Sequence, residues 1–135
     1  MSTAVEVKLV RVVISDRRHQ QTIHLRERDG ERQFSILIGI NEAEEIHRKL
    51  RGYKPTRPMT HDLIVQLLTV CGGHIDRVVV SDLRGGTFIA NIVIRIGDRE
   101  ESIDARPSDA IALAVQVEVP IYVEKRVFDA LDRGE

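Results

Sequence analysis

The sequence predicts an α+β fold in which duplicated β-β-β-α units build a mixed or antiparallel sheet packed with helices. Three observations predict it. Short runs rich in Val and Ile alternate with polar residues and are punctuated by Gly turns, which is strand patterning. Other stretches carry apolar residues at helical spacing behind start signals. The two halves also echo one another: Val12-Val13-Ile14-Ser15-Asp16 matches Val78-Val79-Val80-Ser81-Asp82, and Ile38 to Ile46 aligns with Ile103 to Ile111, pairing Asn41 with Arg106 and Glu44 with Asp109. The pseudo-repeats span about 5–72 and 75–132 of one domain covering residues 1–135, a length suited to a single core.

The elements follow in order. Residues 4–14 read as a strand whose apolar parity switches from Val5, Val7 and Leu9 to Val10, Val12 and Ile14, which predicts a bulge or bend near Leu9 to Arg11. Residues 20–28 and 31–39 flank Asp29-Gly30 as a hairpin with a tight type I′ turn. Asn41 caps a helix with Glu44 in its first turn and an apolar stripe of Ala43, Ile46, His47 and Leu50, ending at Gly52. The segment from Tyr53 to Pro58 is extended, because each proline disfavours the α region in its predecessor. Thr60 then caps a helix over 61–71, with Leu63, Ile64, Leu67, Leu68 and Cys71 as its stripe. Strands near 75–82, 87–96 and 100–104 follow, joined by turns at Gly85-Gly86 and Gly97-Asp98. Pro107 opens a helix over 107–118 that is apolar almost all round and is expected to be buried. Residues 120–124 read as a last strand and 126–132 as a short helix.

Composition narrows the function classes. Net charge is −1, which argues against a broad basic surface as the source of nucleic-acid affinity, so any phosphate site must be local. No apolar run approaches the roughly 18 residues of a membrane span, so the bilayer is not a partner by insertion. The start, Met1-Ser2-Thr3-Ala4-Val5-Glu6-Val7-Lys8, alternates apolar with charged residues rather than forming an export stretch, and the expectation is a cytoplasmic protein. The single cysteine, Cys71, sits in an apolar stretch and is expected in the core. His19, His24, His47 and His74 lack neighbours at metal-ligand spacing, and no Gly-rich phosphate loop occurs, which counts against zinc and P-loop chemistry. Three Phe, two Tyr and no Trp leave little for stacking unpaired bases. The strand Ile121-Tyr122-Val123 and the N-terminal strand are expected as sheet edges that invite pairing in a homo-oligomer.

The residues that bear chemistry gather before two helix starts, in Arg57-Pro58-Met59-Thr60-His61-Asp62 and Asp104-Ala105-Arg106-Pro107-Ser108-Asp109. Each cluster sets a guanidinium, a hydroxyl and a carboxylate beside the exposed N–H groups of a helix end, where an oxyanion is stabilised. Guanidinium forks suit phosphate, and a divalent cation, Mg²⁺ or Mn²⁺, held by Asp104 and Asp109 would activate water and stabilise a leaving oxygen. On this chemistry His61 is assigned as general base or water-orienting group with Asp62 as its partner. Asp109 is catalytic and a metal ligand, and Arg57, Arg106, Thr60 and Ser108 bind substrate. Each acid alone also fits a purely structural part, since carboxylates in a first turn stabilise the helix dipole.

The string Arg57-Pro58-Met59-Thr60-His61-Asp62-Leu63, together with Gly86-Thr87-Phe88-Ile89-Ala90, Asp104-Ala105-Arg106-Pro107-Ser108-Asp109-Ala110-Ile111-Ala112-Leu113-Ala114 and Pro120-Ile121-Tyr122-Val123, resembles the bifunctional nuclease family, also catalogued as a bacterial domain of unknown function. The resemblance runs roughly from Val5 to Leu131. It implies hydrolysis of DNA and RNA phosphodiesters with little sequence preference. The alternative is a noncatalytic module that binds an anion, a nucleotide or a protein partner at the same helix ends.

Overall fold

The computed structural model describes residues 3–15 and 20–134. Its elements are β1 (Ala4–Ser15), β2 (Gln20–Glu27), β3 (Gln33–Ile38), α1 (Ile40–Leu50), α2 (Thr60–Val70), β4 (Gly73–Arg84), β5 (Thr87–Ile96), β6 (Arg99–Ala105), α3 (Pro107–Val117), β7 (Ile121–Glu124) and α4 (Lys125–Asp132). The fold is the mixed α+β arrangement expected. Asp16, which closes the first repeat string, and His19 lie outside the described residues.

Each half forms an antiparallel meander followed by a helix: β1-β2-β3 leads into α1, and β4-β5-β6 leads into α3. The sheet order is β3-β2-β1-β7-β4-β5-β6, so β7 sits between the two meanders, antiparallel to β1 and parallel to β4. This overturns the expectation that β7 and the N-terminal strand are edges. Both are interior, and the edges are β3 and β6. The exposed charges Arg99, Glu100, Glu101 and Asp104 along β6 are of the kind that discourages edge-to-edge pairing.

The ladder shifts register between Leu9 and Arg11, where the parity switch predicts a bulge, and twice more in β4, at Ile75/Arg77 and Val80/Asp82. Bulges increase local twist, and the sheet curls until Phe34 of edge strand β3 stacks on Phe88 of β5, their centroids 5.5 Å apart. The curl brings the ends of both meanders together, and with them the starts of α1 and α3. The β4–β5 turn is a tight two-residue one with Gly85 and Gly86 at φ 55 and 82°. The Asp29-Gly30 turn is not: the loop is wider, closed by the Glu27 N–H to the Arg32 carbonyl at 2.9 Å, and Gly30 is not among the glycines at positive φ.

Helix α3 is the central buried helix, burying Ser108 and Ala110 to Ala114 against the sheet and α1. Its small residues let backbones approach closely, as its all-round apolar sequence predicts. Helix α1 starts two residues early, with Gly39 rather than Asn41 at the cap position, and its buried residues are Ala43, Glu45 and Ile46, whereas His47 and Leu50 are exposed. Helix α2 departs furthest from expectation: none of its residues is buried, and Leu63, Leu67 and Val70 are 50, 59 and 86% exposed. Cys71, just beyond it, is exposed rather than core. Among the described residues, no helix is long and apolar enough to cross a membrane.

Candidate functional site

Three helix starts border one cleft of about 340 Å³, lined by Asn41 and Glu42 of α1, Thr60 and His61 of α2, and Arg106 and Asp109 at the start of α3, with Glu45 and Arg48 from further along α1. The topology explains the convergence of α1 and α3, since β3 and β6 each run directly into a helix at the same end of the curled sheet. The proline-containing segment after α1 returns the chain to that end and starts α2 there.

The two sequence clusters meet through side chains. His61 Nε2 lies 2.9 Å from Asp109 Oδ1, and Arg106 grips the same carboxylate through Nε to Oδ2 at 2.9 Å and Nη2 to Oδ1 at 3.2 Å. Burial pushes the Asp109 carboxyl up, but the hydrogen bonds from Arg106 and His61 outweigh it and hold the group below the ordinary carboxylate range. Asp109 is therefore an ionised acceptor at neutral pH. A carboxylate only accepts, so His61 Nε2 carries the hydrogen in this pair and, in the neutral ring, Nδ1 keeps the lone pair. Pairing with Asp109 in turn raises the Arg106 guanidinium further above its already high value.

A second ionic network stands behind the first. Lys49 Nζ, on a side chain 7% exposed, lies 3.1 Å from Glu45 Oε1 and 3.5 Å from Asp62 Oδ1, and it also donates to Gln116 Oε1 of α3. One buried ammonium thus ties α1 to α2 and α3. Arg48 Nη2 is 2.7 Å from Glu45 Oε2, while its Nε is buried with no hydrogen-bond partner in the protein. Burial raises the Glu45 carboxyl, and the bonds from Arg48 and Lys49 overcome that and leave it lowered.

Of the residues singled out from sequence, Thr60, His61, Arg106 and Asp109 come together in this cleft. Asp104 joins four of them along an adjoining apolar groove of about 460 Å³ between α2 and strands β5 and β6. Three residues lie elsewhere. Asp62 is not the partner of His61: its Oδ2 accepts the Met59 N–H at 2.9 Å, closing the start of α2, and its other oxygen faces Lys49. Ser108 is buried and lines a different cleft, of about 600 Å³, between β3 and β5. Arg57 is exposed, forms no ion pair among the described residues and lines none of these clefts. Sequence reasoning missed Arg48, Lys49 and Glu45, although the Glu45-to-Arg48 and Glu45-to-Lys49 spacings were a readable sign of ion pairing on one helix face.

The fit to a divalent cation is poor. Among the described residues no group of three or more His, Cys, Asp or Glu side chains is placed to hold a metal, and both oxygens of Asp109 are engaged by Arg106 and His61. A cation at Asp104 and Asp109 would have to displace a guanidinium.

Comparison with known proteins places the chain in a family. Residues 23–133 match the bifunctional nuclease domain. An uncharacterized protein of Mycobacterium tuberculosis is 41% identical over 122 residues, covering 90% of this chain and 73% of that protein. Bifunctional nuclease 2 of Oryza sativa subsp. japonica is 29% identical over 110 residues, covering 78% of this chain and 34% of its own length. Bifunctional nuclease 1 of Oryza sativa subsp. indica is 28% identical over 81 residues, covering 58% and 24%. With its match spanning most of the sequence, including both clusters that form the cleft, the chain belongs to the bifunctional nuclease domain family.

Proposed function

We propose that the chain is a nuclease that cleaves phosphodiester bonds of DNA and RNA with little sequence preference. The observation that carries this reading is the meeting on one carboxylate, Asp109 of α3, of His61 from α2 and of Arg106 from the cap of α3, each 2.9 Å from an Asp109 oxygen. Asp109 orients the imidazole and balances the charge it gains on taking a proton, which is the part a carboxylate plays in a nucleophile-base-acid arrangement. His61 Nδ1 accepts the proton of the attacking water or hydroxyl. Arg106 spends two N–H donors on Asp109 and keeps three for a phosphate, and Arg48 adds a second guanidinium across the cleft. The starts of α1, α2 and α3 contribute partial positive charge where the pentacoordinate phosphate becomes more anionic.

A polymer also fits the surroundings better than an isolated anion does, because Arg106 lines the polar cleft, the apolar groove beside α2 and the cleft between β3 and β5. A strand crossing Arg106 has room on both sides. Recognition through one phosphate and its neighbours, with few aromatic rings to read bases, accords with weak sequence preference. Dependence on Mg²⁺ or Mn²⁺ at Asp104 and Asp109 would require Arg106 to release its carboxylate, and no step is assigned to a cation.

The test is cleavage of a labelled single-stranded oligonucleotide by the purified chain and by His61→Ala and Asp109→Asn. Each variant is expected to lose roughly 10²- to 10⁴-fold in rate while keeping its fold by circular dichroism. Parent-level cleavage by both variants would refute the assignment. A second reading, a noncatalytic anion-binding module, is favoured by the same three helix ends and two guanidiniums. It predicts that inorganic phosphate raises the thermal midpoint while no highly purified sample cleaves.

A further inference from the structure

We infer that the His61–Asp109 pair cleaves RNA by activating the substrate's own 2′-hydroxyl, leaving a 2′,3′-cyclic phosphate and requiring no divalent cation. The inference rests on the nuclease reading and specifies its nucleophile. A nuclease that attacks with water has to hold and activate that water, and the usual device is a metal set among carboxylates. The described residues of this chain gather no such set, and the one carboxylate at the centre of the cleft is already bonded on both oxygens. What the cleft does supply is one base, the charge-balancing Asp109, two guanidiniums, and two further carboxylates, Glu42 and Glu45, the second of which is bonded to Arg48. That inventory suffices when the nucleophile arrives covalently attached to the substrate, since an intramolecular hydroxyl needs orientation and deprotonation but no separate binding site.

The step balances without a co-reactant. His61 Nδ1 takes the 2′-hydroxyl proton, the 2′-oxygen forms a bond to the adjacent phosphorus, and the bond from phosphorus to the 5′-oxygen breaks. The departing 5′-oxygen takes a proton from water in the open cleft, and the imidazolium returns its own proton to the hydroxide left behind. Asp109, fixed at 2.9 Å from His61 Nε2, carries no proton at any stage. It holds the tautomer in which Nδ1 faces the substrate unprotonated. Arg106 and Arg48 stay on the non-bridging oxygens throughout. The partial burial of His61, whose side chain is 12% exposed, strengthens these electrostatic contacts and admits a strand only where it can bend into the cleft, which a single strand does more readily than a duplex. DNA has no such hydroxyl, so its cleavage at the same pair uses water as the nucleophile and is slower.

The experiment uses a labelled DNA oligonucleotide carrying one internal ribonucleotide, an all-DNA control and an all-RNA strand, each incubated with the purified chain in EDTA. The expected result is a dominant cut on the 3′ side of the ribonucleotide, much slower cutting of the all-DNA control, and a 5′ fragment one water lighter by mass spectrometry than the hydrolysed 3′-phosphate. His61→Ala should slow that cut roughly 100-fold or more. Cutting at deoxyribose positions at the same rate, a 3′-hydroxyl end, or arrest by EDTA with recovery on adding Mn²⁺ would each overturn the 2′-hydroxyl route while leaving the nuclease reading intact. Failure to cut any of the three strands, with or without Mg²⁺ and Mn²⁺, would overturn both.

Discussion

Helices α2 and α3 have the same length and both are rich in aliphatic residues, yet α3 buries six residues and α2 buries none. They also split the candidate catalytic pair, with His61 on the exposed helix and Asp109 on the buried one. The difference teaches that the two halves of this site are held by different forces. Asp109 is positioned by packing, because Ala110 to Leu113 behind it fix the helix in the core. His61 is positioned by lighter packing, Val65 and Leu68 lying half-buried against the core, together with charge, through its own bond to Asp109 and through Lys49, which reaches Asp62 one residue along.

The sharpest way to break this comparison is to remove the same atoms from each helix. Leu113→Ala in α3, where the side chain is 1% exposed, should cost about 2–5 kcal/mol, the transfer free energy plus the cavity left behind. Leu67→Ala in α2 should change stability by no more than about 0.5 kcal/mol, the range of surface substitutions. Urea denaturation followed by far-UV circular dichroism measures both. Equal losses at the two positions would mean that α2 is covered in solution, as in an oligomer, and sedimentation of the parent chain would then show it.

An intermediate effect is expected at the ionic tie. Lys49→Met keeps most of the apolar stem but leaves Glu45 and Asp62 without their shared ammonium, and should cost about 1–3 kcal/mol. The more telling readout is where the loss appears. Amide exchange should accelerate in α2 before α3, and the cleavage rate should fall further than overall stability explains, because the base loses its register on the acid. Uniform exchange across both helices would mean that Lys49 supports the whole fold rather than the α2 start.

Much of the fold and part of this comparison were legible in the sequence. The strands, the bulge near Leu9 and the buried character of α3 follow from periodicity, and the shared place of the α1 and α3 starts follows from the repeated order, whereas α2, which carries His61, lies outside the repeat. The rest was hidden for physical reasons. Periodicity reports that a helix has an apolar face and is silent about whether anything covers it, so Leu63, Leu67 and Cys71 read as core when they are exposed. On α1 a carboxylate takes a buried position, because Arg48 and Lys49 satisfy Glu45, while Leu50 stays outside. Adjacency in sequence pointed to Asp62 as the histidine's partner. On a helix, however, neighbours one residue apart face different directions, and Asp62 closes the start of α2 instead.

Acid should probe the same pair more gently. The folded Asp109 carboxyl lies below its ordinary range because Arg106 and His61 outweigh the opposing effect of burial. A lowered folded pKa contributes stability that is complete above the unfolded carboxylate value and lost as pH falls through the folded one. The thermal midpoint should therefore decline on acidification below the ordinary carboxylate range, and Asp109→Asn should flatten part of that decline. Glu45, lowered in the same sense by Arg48 and Lys49, will account for much of the remainder. The Asp109 share is modest because its side chain is 31% exposed and partly screened. An unchanged acid slope in the variant would mean that the Arg106 and His61 contacts are not maintained in solution.

The smallest effect separates two arginines that looked equivalent in the sequence. Arg57 lies three residues before α2 and Arg106 directly before α3, but Arg106 is fixed by two bonds to Asp109 and borders three clefts, whereas Arg57 is exposed and borders none of them. A phosphate clamp works because its donors are already oriented when the substrate arrives. An arginine without a partner to orient it pays for its own ordering at every encounter. Arg57→Ala should accordingly change stability by under about 0.5 kcal/mol and leave the cleavage rate of a short single strand within twofold of the parent at moderate salt. A tenfold fall would return Arg57 to the site as a residue that swings onto the strand only after binding. Repeating the assay across salt concentrations would then show the variant losing one phosphate contact's worth of salt dependence.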